Sequence, residues 1–228
     1  MTTGTPTLNE LPHFTDRLDA GRQLAARLKS FERPSLVVVG IAPEGMPVAA
    51  EVARLLNAPL QAIAIESLNI DGDPSRVFGT AAEGGITLFD RSHLDNVDTR
   101  SEAVDAAIAR AQQRIAERTD RWWRGIGRPS LHRRHVLLVD DVLENNEDGA
   151  AAACCVRDRG AAGVTCAAPL VRLGAAAGLI DWAEEVYCLG TLAIDTPVTS
   201  CFSSFEAVSD EEVRRLLREN MSTKGPRR

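Results

Sequence analysis

The chain lacks any long apolar run. None of the hydrophobic stretches among its 228 residues approaches the roughly 20 residues that a helix needs to cross a bilayer. Residues 1–10 are polar and rich in Thr, whereas a secretory signal has an apolar centre. The sequence therefore predicts no membrane span, and we expect a cytoplasmic protein.

Paired cysteines and histidines are also lacking. The five cysteines form an odd set, and no two of them have the CxxC spacing or stand beside a pair of histidines. Disulfide frameworks and structural zinc sites both depend on such spacing. We therefore expect neither, and free thiols fit a reducing compartment.

Positive charge is scarce. The chain has 26 Lys and Arg residues against 32 Asp and Glu residues, which gives a formal net charge of -6. Nucleic acids and anionic membranes are bound by basic surfaces. We therefore expect no nucleic-acid or membrane partner, and the ligand to be a small molecule or another protein.

What the chain does contain is an alternation of strand-length apolar runs with segments of helical period. The predicted strands are 35–41, 60–65, 136–139, 164–168 and 186–189, and the predicted helices are 15–29, 47–57, 99–123, 149–159, 175–183 and 209–218. This alternation is typical of a doubly wound α/β fold, in which helices cover both faces of a mainly parallel sheet.

The length of the chain favours one domain. We predict a single domain over residues 12–220, with flexible ends at 1–11 and 221–228. Within it, residues 66–98 are punctuated by Gly and Pro, which predicts an irregular flap with a small antiparallel hairpin.

The strand at 136–139 ends in two acids, Asp140 and Asp141, and leads into a helix through a loop with three more carboxylates. The loop residues are Glu144, Asn145, Asn146, Glu147, Asp148 and Gly149. Asp140 and Asp141 could cap the turn after the strand, or they could lie in a ligand cleft. The loop acids could complement the macrodipole at the start of the helix.

This stretch resembles the ribose-phosphate signature of the type I phosphoribosyltransferases. Segments 14–21, 39–48 and 205–212 extend the likeness to a bacterial subgroup of that family over about residues 14–218. The resemblance implies a Rossmann-like core with a flap above the carboxyl ends of the strands. It also implies binding of 5-phosphoribosyl 1-pyrophosphate (PRPP) with magnesium, and displacement of pyrophosphate by a nitrogen nucleophile.

The resemblance further implies that Asp140 and Asp141 hold the ribose hydroxyls, directly or through a magnesium ion that they bind. The loop that follows them would wrap the 5'-phosphate at the amino end of the next helix. In this subgroup the pyrophosphate turn carries Arg-Gly-Gly, and a basic Arg-Lys pair follows the next strand.

This chain departs from the family pattern at all three places. The phosphate loop is acidic, Glu44-Gly45-Met46 stands at the pyrophosphate turn, and Glu66-Ser67 replaces the basic pair. A carboxylate about 5 Å from a phosphate charge costs roughly 3 kcal/mol at an effective dielectric constant near 20. Glu44 and Glu66 could instead be surface residues on turns.

Two functions remain open. In the first, a phosphoribosyltransferase-fold protein no longer uses PRPP in the ordinary way and binds another ligand, cationic or metal-linked, or a protein partner. In the second, an active phosphoribosyltransferase recruits Arg76, Arg91 or Arg172 to an unusual site with magnesium. Trp122 and Trp123 suit core packing, although they could also serve a homodimer interface.

Overall fold

The computed structural model describes residues 11–31, 33, 35–70, 73, 77–90 and 101–222. The strands are β1 (Val37–Ala42), β2 (Leu60–Asn69), β3 (Val77–Ala82), β4 (Ile86–Phe89), β5 (His135–Val139), β6 (Val142–Leu143), β7 (Gly163–Arg172) and β8 (Glu185–Leu192). The helices are α1 (Arg17–Arg27), α2 (Met46–Leu55), α3 (Glu102–Trp123), α4 (Asn146–Asp158), α5 (Ala175–Leu179) and α6 (Asp210–Ser222).

All these strands belong to one sheet, in the order β4-β3-β2-β1-β5-β7, with β6 and β8 also paired to β7. The central pairs, β1 with β2 and with β5, and β7 with β5, β6 and β8, are parallel. Only the β2–β3 and β3–β4 pairs are antiparallel. The mainly parallel α/β fold predicted from the sequence is confirmed.

Helices pack against both faces because consecutive residues of the central strands point in opposite directions. Val38 and Leu137 join the core under α1, α2, α3 and α6, whereas Val37 and Val136 join the core under α4. Each central strand is thus buried on both sides, which explains its almost continuous apolar sequence.

Trp122 anchors the end of α3 in this core. Its side chain is fully buried, and its Nε1 donates a hydrogen bond of 2.9 Å to Asp210 at the start of α6. The prediction of core packing is confirmed for Trp122. A homodimer remains a prediction that nothing in the fold tests.

The helix starts follow local capping chemistry. Asp16 caps α1 by accepting the N–H of Asp19 at 2.8 Å, and Ser209 accepts the N–H of Glu212 at 3.1 Å. The Glu212 carboxylate accepts hydrogen bonds from Arg215.

Strand β2 differs most from its prediction. It does not end at Ile65 but continues to Asn69, because Glu66 and Ser67 pair with Ala81 and Thr80 of β3. Apolar patterning did not reveal this extension, since three of the four added residues are polar. The predicted hairpin exists as β3 and β4, and residues 91–98 of the predicted flap lie outside the described residues.

Other strands and helices also end at residues that differ from those predicted. Strand β7 runs from Gly163 to Arg172, longer than predicted, and α5 ends at Leu179, earlier than predicted. Helix α6 continues to Ser222, into the predicted tail. None of the helices in the described part of the chain combines the length and apolar composition that a membrane span requires.

His135 at the start of β5 should make stability depend on pH. Burial and Arg33 lower its pKa, with Glu184 and Glu185 opposing the shift, and its Nε2 lies 3.0 Å from Thr165 Oγ1. As the pH falls, His135 of the unfolded chain therefore takes up a proton near pH 6.5, whereas His135 of the folded protein takes it up only at a lower pH. The contribution to stability should be complete above about pH 6.5 and should decline as the pH falls.

Urea denaturation of the wild type and of His135→Gln, between pH 5 and pH 8, measures this effect. We expect the difference in unfolding free energy between the two proteins to be constant above about pH 6.5 and to shrink below it. A difference that stays constant over the whole range would exclude the effect.

Candidate functional site

A cleft of about 340 Å³ opens at the carboxyl ends of β1 and β5 and beside β2. In open α/β sheets this edge is where ligands bind. The cleft is lined by six carboxylates and one guanidinium, which belong to Glu44, Glu66, Asp140, Asp141, Glu144, Asp148 and Arg118. The three sequence segments that depart from the family pattern therefore meet in one place.

The turn after β1 brings Glu44 against the acid pair. Gly45 sits so close to the end of β5 that an added Cβ would lie 2.8 Å from Asp140 Oδ1 and 2.6 Å from the Ile41 carbonyl oxygen. Only glycine fits there. Met46 is buried as the first residue of α2, so of Glu44, Gly45 and Met46 only Glu44 lines the cleft.

Asp141 is neutralised by Arg17. The Arg17 Nε donates to Asp141 Oδ2 at 2.7 Å, and both side chains are less than a tenth exposed. Arg17 also donates to the Glu206 carbonyl oxygen at 2.5 Å and lies 3.7 Å from the centroid of the Phe205 ring. Sequence reasoning missed Arg17, although it lies in the segment 14–21 that carries part of the resemblance.

Asp140 has no such arginine partner among the residues that the structure describes. Burial raises the pKa of its carboxyl group well above the ordinary value, and the charges of Asp141 and Asp148 add to this shift. A hydrogen bond of 2.9 Å from the Asp141 N–H to Asp140 Oδ1 opposes it only in part. The pKa of Glu44 is raised in the same way, first by loss of hydration and then by Asp141.

The predicted phosphate loop is in fact the first turn of α4. The helix begins at Asn146 rather than at Gly149, because Asn145 caps it by accepting the Asp148 N–H at 2.9 Å. The Asp148 carboxylate in turn accepts hydrogen bonds from Asn145 at 3.1 Å and from Thr80 Oγ1 of β3 at 2.7 Å. A carboxylate thus occupies the amino end of the helix, as the macrodipole favours.

Four predicted loop residues lie outside the cleft lining. Asn145 is the helix cap, and Gly149 packs so tightly on Leu179 that a Cβ would come within 2.5 Å of it. Asn146 and Glu147 face a separate groove on the other side of α4, which also contains Trp182.

The two remaining acids of the cleft are each held by arginine. Glu144 forms a two-pronged pair with Arg172, at 2.7 and 2.9 Å, and Arg172 also donates to three backbone carbonyl oxygens at 193, 194 and 196. Glu66 accepts hydrogen bonds from Arg118 at 2.9 Å and from Arg114 at 3.3 Å. Glu66 therefore lies in β2 rather than on a surface turn, whereas Glu44 is exposed on the turn after β1.

This sheet, with its cleft and the acid pair at the end of β5, defines a type I phosphoribosyltransferase fold. No protein-family model matches the chain. The chain is 34% identical over 204 residues to proteins of two Mycobacterium tuberculosis strains, each named "Putative phosphoribosyl transferase". The match covers 90% of this chain and 46% of each relative, so the chain spans about half their length.

Solved structures agree on the fold. The crystal structure of TT1426 from Thermus thermophilus has a TM-score of 0.75 and 29% identity, and the match covers 91% of this chain and 98% of that one. A hypothetical protein from Neisseria gonorrhoeae, solved with bound ppGpp, has a TM-score of 0.52 and 15% identity, over 94% of this chain and 99% of that one. This chain therefore shares its fold with both of these proteins.

Proposed function

We propose that this phosphoribosyltransferase-fold protein binds a positively charged group in the cleft instead of using PRPP in the ordinary way. One observation carries the proposal. Glu44 and Asp140 face the cleft side by side, and neither forms an ion pair within the described residues. Their raised pKa values indicate that the ionised carboxylates lack compensation, which a bound cation would supply.

Three of the groups that would attract phosphate are already engaged by the protein itself. Arg17 holds Asp141, Arg172 holds Glu144, and the amino end of α4 carries the Asp148 carboxylate. A phosphate would have to displace these contacts and then lie beside their carboxylates. Each such carboxylate at about 5 Å would cost roughly 3 kcal/mol, which is more than a hundredfold in affinity.

The chemistry of the two free carboxylates favours an organic ammonium over a metal ion. Within the described ranges, no group of three or more His, Cys, Asp or Glu residues could hold a metal. An ammonium needs only a few acceptor oxygens, which Glu44 and Asp140 provide. A protein partner that inserts a lysine side chain would satisfy the same site.

Binding of n-butylamine, followed by NMR chemical shifts, tests the proposal. We expect saturable shifts at resonances around Glu44 and Asp140, and at least about tenfold weaker binding to the Glu44→Gln, Asp140→Asn double variant. The Glu51→Gln, Asp120→Asn double variant removes two carboxylates outside the cleft lining, so it is the charge-matched control and should bind like the wild type. Equal binding by the double variant would contradict the proposal.

Phosphoribosyl transfer from PRPP with magnesium to an unknown nitrogen acceptor is the alternative. The name of the mycobacterial relatives and the position of Asp140 at the end of β5 support it. Magnesium is commonly held by one or two carboxylates together with substrate phosphates, and Asp140 could be such a ligand while Asp141 is held by Arg17.

The arginines that this alternative needs are poorly placed. Arg172 is committed to Glu144 and to backbone carbonyl groups, while Arg76 and Arg91 lie outside the described residues. If the alternative holds, the wild-type protein should release pyrophosphate from PRPP when a suitable amine and magnesium are present.

A further inference from the structure

The cleft also has a basic wall, which the proposed cation site does not explain. Arg118 of α3 lines the cleft, and Arg114, one helical turn before it, shares the Glu66 carboxylate with Arg118. Burial raises the pKa of Glu44, whereas the charge of Arg118 lowers it. The lining of the cleft therefore combines unpaired carboxylates with a guanidinium group.

Positive charge is in excess at this wall. Among the residues that the structure describes, three arginines of α3, at 114, 118 and 121, share two carboxylates, those of Glu66 and Asp210. Asp210 is 2.9 Å from Arg121 and 3.6 Å from Arg118, and it also accepts the Trp122 hydrogen bond. One guanidinium charge is thus left without a matching carboxylate.

Hydrogen-bond donors are free as well. Arg114 uses only its Nε toward Glu66, and Arg118 uses its Nη1. The outer Nη groups of Arg114 and the Nη2 of Arg118 make no hydrogen bond within the described part of the chain. These side chains are 48% and 30% exposed, so the donors can reach a ligand. The contacts that join α3 to β2 through Glu66 use only the Nε of Arg114 and the Nη1 of Arg118.

We propose that the ligand is a small zwitterion, whose ammonium group binds at Glu44 and Asp140 and whose oxyanion binds at Arg118 and Arg114. This inference rests on the proposed function, because it adds a second contact to the same cation site. Guanidinium groups bind carboxylates and phosphates through paired hydrogen bonds. A site with acidic and basic groups at fixed positions favours a ligand that carries a positive and a negative group.

The test compares ligands that differ by one charged group. NMR titrations with ω-amino acids from glycine to 6-aminohexanoate are set beside n-butylamine and butanoate. We expect the best-fitting amino acid to bind at least about tenfold more tightly than n-butylamine, from the added charge-assisted bonds. Butanoate should bind more weakly than either.

Variants of α3 separate the arginine contact from a general effect of charge. Arg118→Gln should reduce binding of the amino acid to the level of n-butylamine and leave n-butylamine binding unchanged or stronger. Arg121→Gln is the matched control, because Arg121 contacts Asp210 but does not line the cleft, and it should retain the advantage of the amino acid. Thermal melts of both variants check that they are folded.

The outcomes distinguish this inference from the proposed function. If n-butylamine binds at Glu44 and Asp140 but no amino acid binds more tightly, the zwitterion is excluded while the cation site stands. If n-butylamine fails to bind there, the proposed function itself is overturned. An advantage that survives Arg118→Gln would exclude the assigned oxyanion contact.

Discussion

Replacing Asp141 by alanine is expected to lower the free energy of unfolding by about 3–5 kcal/mol, because removing one member of a buried ion pair leaves the other charge uncompensated. Asp141 and Arg17 are 7–8% exposed and 2.7 Å apart. The guanidinium cannot lose its proton to relieve the loss. Urea denaturation at pH 7 measures the change.

The contrast with another ion pair makes this prediction specific. Arg124 and Asp120 form a pair at the end of α3 in which the side chains are 68% and 66% exposed, and such pairs contribute about 0–1 kcal/mol. Asp120→Ala should therefore change stability little. A similar loss in the two variants would show that the Asp141 pair is not the structural contact that its burial indicates.

Replacing the neighbouring Asp140 by asparagine is expected to stabilise the protein. The ionised carboxylate is buried beside Asp141 and Asp148 and its pKa is raised, whereas the neutral amide can still accept the Asp141 N–H. A gain of about 1 kcal/mol would raise the melting temperature by about 2–4 °C in a chain of this size. The same substitution should weaken ligand binding.

The stabilisation by Asp140→Asn should depend on pH in a defined direction. Because the folded protein holds the Asp140 proton more tightly than the unfolded chain, the wild type is favoured below about pH 4 and loses that advantage as pH rises through the raised pKa. The gain should thus be absent near pH 4 and appear above it. Thermal melts of both proteins across this range measure it, and a destabilised variant at pH 7 would refute the explanation.

Much of the fold followed from apolar patterning, because the central strands at 37–42 and 135–139 are buried on both faces and read as continuous apolar runs. Asp140 and Glu44 both line the cleft, since both come after parallel strands. Strand boundaries set by antiparallel pairing, as at Glu66, could not be obtained, because the pairing partner is distant in sequence.

The arginine partner of each cleft acid could not be predicted either, because these partners are also distant in sequence. Asp141 is held by a residue 124 positions away, Glu66 by one 52 positions away, and Glu144 by one 28 positions away. Sequence reasoning treated these acids as equal repellers of phosphate. In the structure, Asp141, Glu66 and Glu144 form ion pairs with arginines. Glu44 and Asp140 form none among the described residues.

Calorimetric titration with PRPP and magnesium tests the central claim most directly, on the wild type and on a variant with Glu44→Arg, Glu144→Thr, Glu147→Gly and Asp148→Ser. The variant frees Arg172 and restores neutral donors at the amino end of α4. We predict no measurable PRPP binding by the wild type and a gain of at least about a hundredfold in the variant. Micromolar binding of PRPP by the wild type would contradict the account.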